Sequence, residues 1–207
     1  MYRRHLKHSR VKNLFKFVSA KMNTVFTVES SLEFDTCFHL EYSPAVTEFE
    51  AQPLGYYYEF EGREYPYTPD FRVVDQHGSA SFIEVKPSDK VADPDFLNRF
   101  PFKQQKALAL SSPLKLITEK QIRIDPILGN LKLLHRYSGF QSFTPLHTML
   151  LRLVREYGRI QLSSLCSSSK APHGAVLAST LTLIAMGLIK SDLTSQAFSA
   201  TTFVWAE

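Results

Sequence analysis

The chain has 207 residues, 44% hydrophobic and 21% charged, which suits a folded protein with its own core and excludes disordered and fibrous classes. Cys37 and Cys166 lie far apart with no Cys/His spacing near either. That excludes a disulfide scaffold and a Cys/His zinc site, and fits a reducing cytoplasm. The formal charge of +4, with a pI near 9.0, is unevenly spread along the chain and so bears on the choice of partner.

Residues 1–28 hold Arg3, Arg4, Lys7, Arg10, Lys12, Lys16 and Lys21 and no acid, with Phe15 and Phe17 interleaved. A cationic arm of this kind suits a polyanion, because each phosphate it neutralises releases counterions. Arg3, Arg4, Lys7, Arg10, Lys12 and Lys16 are therefore candidate contacts to double-stranded DNA; a solubilising tail is the plainer alternative. The arm has no apolar export core. Residues 29–75 then carry 11 acids against Arg63 and Arg72, a stretch that would repel DNA unless divalent cations neutralise it.

Ser30-Ser31-Leu32-Glu33 is a capping box that predicts a helix to about Tyr42, halted by Ser43-Pro44. Extended stretches follow at 45–50, 55–61 and 71–75. A turn at Asp75-Gln76-His77-Gly78 then leads into a strand, Ser81 to Lys86. Asp93-Pro94 opens a helical region to about Ser111, bent near Pro101. Residues 114–118 make a short strand, and Asp125-Pro126 starts a helix to about Tyr137. This order predicts an α/β fold, a mixed sheet flanked by helices, over residues 29–140.

Ser138 to Ser142 reads as a linker to a small C-terminal domain, residues 141–207. There 145–157 is amphipathic, 160–167 suits a second helix and 173–186 a third, and 188–205 suits two strands around a polar tip. Three helices and a hairpin make an α+β winged helix. Its third helix is uncharged from Gly174 to Gly187, and Ser179, Thr180 and Thr182 are expected on its exposed side. Groove readers place Arg, Lys, Asn or Gln there, so this domain is expected to bind protein. Phe203 and Trp205 are expected to anchor the wing, and His135, His147 and His173 to be packing or surface residues. The longest apolar run, Ala175 to Ile189, is shorter than the roughly 18 residues of a membrane span. A soluble cytoplasmic protein without a membrane partner is expected.

Thr68-Pro69-Asp70-Phe71 and Glu84-Val85-Lys86 carry the chemistry. Strand alternation puts Glu84 and Lys86 on one face with Val85 inward, and a hairpin across the 75–78 turn would bring Asp70 near Glu84. Two carboxylates and the Val85 carbonyl form a hard oxygen site suited to Mg²⁺. Lys86 could then hold or deprotonate an attacking water, as phosphodiester hydrolysis requires. The plainer alternatives are a Pro-Asp turn and a cross-strand charge pair. On the residues alone, Glu33 reads as the cap of its own helix.

Together these residues resemble the PD-(D/E)xK nucleases with a restriction-endonuclease-like core. Ser30 to Glu33, Leu40 to Val46, Gln52-Pro53, Thr-Pro-Asp-Phe and Glu-Val-Lys-Pro, followed by 103–106 and 116–120, are similar to TnsA, the endonuclease of heteromeric cut-and-paste transposases. The resemblance implies a Mg²⁺-dependent enzyme, with Mn²⁺ able to substitute, that cuts the 5′, non-transferred strands at transposon ends. It also implies a DDE transposase (TnsB) and an AAA+ ATPase (TnsC) as partners, the ATPase contacting the C-terminal part. Carried onto this chain, the catalytic residues are Glu33, Asp70, Glu84 and Lys86. The metal ligands are Asp70, Glu84 and the Val85 carbonyl, and Glu33 becomes a third acid near the metals. Some relatives carry Gln at the position of Glu84. The alternatives in view are another nuclease on this core, for restriction or repair, and a non-catalytic DNA-binding adaptor.

Overall fold

The computed structural model describes residues 13–139 and 142–206. The chain divides into two compact units between Arg123 and Ile124.

The first unit opens with a hairpin, β1 (Phe15–Ser19) and β2 (Thr24–Val28). Alternation along β1 turns Phe17 inward, where it is 1% exposed, and leaves Lys16 outside. Helix α1 (Ser31–Tyr42) follows. Phe17 packs edge-on against Phe38 at 5.1 Å, and Phe15 stacks on Phe34 at 5.6 Å. Of the two phenylalanines expected to serve a polyanion, Phe17 is thus a core residue of this unit and Phe15 is partly buried against α1. Lys21 is likewise structural: its ammonium donates to the carbonyls of Leu40, Ser43 and Val46 within 2.9 Å, neutralising the carbonyl-rich C-terminus of α1.

Four strands form the central sheet: β3 (Val46–Ala51), β6 (Phe71–Asp75), β7 (Ala80–Val85) and β8 (Leu114–Ile117), in the order β3-β6-β7-β8. Between β3 and β6 the chain makes a separate two-stranded hairpin, β4 (Tyr56–Phe60) and β5 (Arg63–Tyr67). Its turn residues Glu61 and Gly62 both have positive φ, the conformation that matches strand twist in a two-residue turn. Strands β6 and β7 are antiparallel, with Phe71 opposite Ile83. Asp75 Oδ1 closes their turn by accepting from the N–H groups of His77 and Ser79.

Strands β7 and β8 are parallel and so need a crossover. It consists of α2 (Ser88–Val91) and α3 (Pro94–Ala109), with Pro101 inside α3. Phe96, Phe100 and Ala107 of α3 join Tyr56, Tyr58, Tyr67, Phe82 and Leu114 in one core. A single turn, α4 (Glu119–Ile122), completes the unit. The mixed sheet flanked by helices agrees with a restriction-endonuclease-like fold.

The second unit comprises α5 (Ile127–Tyr137), α6 (Pro145–Tyr157), β9 (Arg159–Gln161), α7 (Leu162–Ser169), α8 (His173–Ala185), β10 (Lys190–Ser191) and β11 (Phe203–Trp205). Its three strands lie in the order β10-β11-β9. Leu150, Val154, Ile160, Leu162, Leu165, Val176, Leu183, Ile189 and Val204 form its core.

Helix α5 belongs to this unit, although the sequence reading ended the first domain at residue 140. The reason is Asn130, buried at 4%. Its amide donates to the carbonyls of Leu193 and Gln196 and accepts from the N–H of Phe198. Two further expectations are corrected. Ser179, Thr180 and Thr182 are buried rather than exposed, Thr182 being held by the carbonyls of Tyr137 and Ala178. Val204, fully buried, anchors the last strand, whereas Phe203 is 37% exposed and lies with Trp205 beside the Arg159 guanidinium. Among the described residues no helix is long and apolar enough to cross a membrane.

Candidate active site

Asp70 sits one residue before β6 and is fixed by its neighbours on both sides. Its N–H donates to Ile83 O at 3.0 Å, and its carbonyl accepts from the Gln52 N–H at 2.8 Å. Its side-chain Oδ2 accepts from the Val85 N–H at 2.7 Å. The hairpin register thus sets a carboxylate against the backbone of the Glu84-Val85-Lys86 segment. Glu84 is buried at 9%, and its Oε2 accepts the Tyr67 hydroxyl at 2.5 Å. Lys86 Nζ stands 4.0 Å from Glu84 Oε1 and 4.7 Å from the centre of the Phe96 ring. The Lys86 N–H, bonded to Ile117 O, fixes the segment to β8 as well.

Glu33, in the first turn of α1, both caps its helix and stands near the acids. As a cap, its Oε1 accepts from Ser30 Oγ at 2.7 Å, its Oε2 from the Glu29 N–H at 3.1 Å, and its own N–H donates to Ser30 Oγ. It also lies close enough to Asp70 for its charge to raise the Asp70 pKa. Asp70 is only partly covered at the surface, yet protein atoms crowd it. Desolvation first, then the charges of Glu84 and Glu33, push its pKa well above the ordinary aspartate value, against the Val85 N–H and Lys86, which lower it. Glu33 is raised too, chiefly by burial. Acids brought together at this cost, with a lysine alongside, mark a candidate functional site.

Gln52 adds an independent sign. It takes φ = 51°, unusual outside glycine, and is 9% exposed. Its Nε2 reaches Glu33 Oε2 at 3.4 Å, while its Oε1 is buried without a hydrogen-bond partner. A buried acceptor left unpaired costs about 1–3 kcal/mol, so this oxygen suits a water or ligand held against the acids. Among the described residues no group of three or more His, Cys, Asp or Glu is placed to hold a metal. The available donors are therefore the Asp70 and Glu84 carboxylates with main-chain or solvent oxygens, a hard set that fits Mg²⁺. Both oxygens of Glu33 are already engaged.

Asp70, Glu84, Val85 and Lys86 thus come together, with Glu33 beside Asp70. Of the candidate DNA contacts, Lys16 is exposed on β1, and Arg3, Arg4, Lys7, Arg10 and Lys12 lie outside the described residues. Sequence reasoning gave no role to Tyr67, Gln52 or Lys103. Lys103 sits with its ammonium 4.4 Å from the Tyr67 ring centre. The aromatic-rich run ahead of Thr68-Pro69-Asp70 was the available signal for Tyr67.

Residues 43–119 match the family model described as TnsA-like endonuclease N terminal. The matched span contains Gln52, Tyr67, Asp70, Glu84, Lys86 and Lys103 and begins after Glu33. No curated protein matches the chain. The family match supports a TnsA-family, transposase-associated endonuclease.

Proposed function

We propose that this chain is a Mg²⁺-dependent DNA endonuclease that cleaves the 5′, non-transferred strands at transposon ends. It would act with a DDE transposase (TnsB) and an AAA+ ATPase (TnsC). The observation that carries the reading is the Asp70–Val85 hydrogen bond, which sets one carboxylate beside a second, Glu84, and a lysine within 4.0 Å of that second acid. In this reading Asp70, Glu84 and the Val85 carbonyl hold the ion, with Mn²⁺ able to replace Mg²⁺. Bound there, the ion would polarise the phosphate and acidify the attacking water.

The chain's own residues do the rest. Lys86, as an ammonium, holds the water and offsets charge on the phosphoryl group, the water's proton passes to solvent, and Gln52 Oε1 accepts a hydrogen from solvent in the site. Glu33 keeps α1 and its buried charge against Asp70, and Tyr67 holds the Glu84 carboxylate in one rotamer. The water oxygen joins phosphorus, the P–O bond to the leaving sugar oxygen breaks, and a proton ends on that oxygen.

The second unit reads as a winged helix, with α6, α7 and α8 as its helices and β9, β10 and β11 as its sheet. Burial of Ser179, Thr180 and Thr182 leaves α8 even less polar surface for a DNA groove, which supports a protein-binding role toward the ATPase. The test is to incubate the chain with end DNA, the partner transposase and Mg²⁺ and to map the nicked strand. Nicks on the 5′ strands that are lost in Glu84→Ala, while the transposase's own 3′-strand cuts persist, are expected; 5′-strand cleavage unaffected by Glu84→Ala would overturn the assignment.

A further inference from the structure

A pocket of about 270 Å³ adjoins the acids and shares only Lys86 with the hydrolytic step. Lys86, Lys90, Arg99 and Lys103 line it together with Phe96, Asp93 and Asp95. The two carboxylates are occupied. Asp93 caps α3 by accepting from the Asp95 N–H at 2.9 Å, and Asp95 pairs with Arg99 at 2.7 Å. Lys103 is different: among the described residues it has no ion pair within 4.0 Å.

Its ammonium lies 4.4 Å from the Tyr67 ring centre and 6.0 Å from that of Phe96, and Lys86 approaches Phe96 to 4.7 Å. The two lysines therefore share an aromatic floor, which holds a cation without neutralising it. Tyr67 joins pocket and site, since its ring carries Lys103 and its hydroxyl binds Glu84. Helical spacing puts Phe96, Arg99 and Lys103 on one side of α3, at i, i+3 and i+7, while Lys90 of α2 supplies the exposed rim.

We infer that this pocket is a subsite for a DNA phosphate next to the one being cut, with Lys103 as its central contact. An unpaired ammonium is a point charge suited to phosphate oxygens, and its place beside the acids fits a neighbouring phosphate of the same strand. The inference rests on the nuclease reading, so its test is made on binding rather than cleavage.

The full chain is titrated with duplex DNA by fluorescence anisotropy, without divalent metal, across a range of salt. Lys103→Gln and Lys103→Arg are compared with the unmodified chain after thermal melts show that both variants fold. Lys103→Gln should reduce the log–log salt slope by about 0.9, the value for a single neutralised phosphate, and Lys103→Arg should retain it. A single neutral methylphosphonate is then moved along one strand. It should weaken binding at one position for the unmodified chain, and that effect should vanish in Lys103→Gln. Equal slopes for all three proteins, or a methylphosphonate profile unchanged by Lys103→Gln, would overturn the subsite. Lys103-dependent binding without any Mg²⁺-dependent cleavage would sink the nuclease reading and leave the subsite standing.

Discussion

The N–H of Val85 donates a 2.7 Å hydrogen bond to Asp70 Oδ2, so the two halves of the acidic motif are joined before any ligand arrives. Asp70 must accept this bond in a crowded setting, with Glu84 and Glu33 both opposing its ionisation. The carboxylate is therefore strained electrostatically in the free protein.

A pH dependence follows. The folded-state pKa of Asp70 is raised, so between its unfolded and folded values the native state binds more protons, and stability falls as pH rises through that window. Asp70→Asn retains an acceptor for Val85 and removes the charge. Its melting temperature should exceed that of the unmodified chain by a few degrees at neutral pH. The difference should close below about pH 4, where unfolded aspartate is itself protonated. Calorimetry across pH 4–8 checks it, and a variant that melts lower at pH 7 would count against the repulsion.

Mg²⁺ should reverse the same penalty. At a hundredfold excess over its dissociation constant, the ion would add about 2.7 kcal/mol to the stability of the unmodified chain. Asp70→Asn should gain far less. Melting curves with and without Mg²⁺ provide the comparison, and equal gains would remove Asp70 from the ligand set.

Tyr67→Phe deletes the hydroxyl that satisfies a buried carboxylate. Hydrogen bonds to charged groups contribute about 1.5–3 kcal/mol. Urea denaturation should show a loss of that order, with slower cleavage as Glu84 gains rotamer freedom. An unchanged midpoint would mean that water replaces the hydroxyl without cost.

Gln52→Leu separates stability from activity. The Oε1 it removes has no partner in the protein, and its Nε2 contact is long at 3.4 Å, so folding should not weaken and should gain up to about 1–3 kcal/mol as the unpaired acceptor is removed. Cleavage should fall at least tenfold if that oxygen holds solvent in the site. Full activity in this variant would assign Gln52 to structure alone.

The two parts of the N-terminal segment should behave oppositely. Deleting residues 1–12 removes Arg3, Arg4, Lys7, Arg10 and Lys12 and should flatten the salt dependence of DNA binding, by about 0.9 for every phosphate those side chains neutralise. Phe17→Ala empties a site that is 1% exposed and should cost about 3–5 kcal/mol with little change in that slope. Anisotropy and urea titrations on the same samples separate them.

The capping box and the Asp70–Glu84 hairpin were legible because their signals are local: Ser30 and Glu33 are three residues apart, and the 75–78 turn alone fixes which residues face each other. Other parts were hidden for physical reasons. The strand at 63–67, which contains Pro66, was not among the expected stretches; among the described residues β5 pairs only with β4, and such an edge strand tolerates a residue without an N–H. Phe15 and Phe17 alternated with Lys16 in plain view, but the density of positive charge drew the reading toward solvent. Lys103 and Tyr67 meet only because α3 packs across the sheet, and Asn130 links α5 to residues 193–198; neither relation has a sequence period to announce it.

The position of β7 between an antiparallel and a parallel neighbour bears on how the protein wears out. An interior strand cannot fray by itself, so its amides should be among the slowest to exchange with deuterium. Glu84 lies on that strand and Lys86 just beyond it, where its own amide is bonded to β8. On heating, loss of the acidic centre should coincide with melting of the central sheet, leaving no long-lived species that keeps its tertiary core and has shed its chemistry.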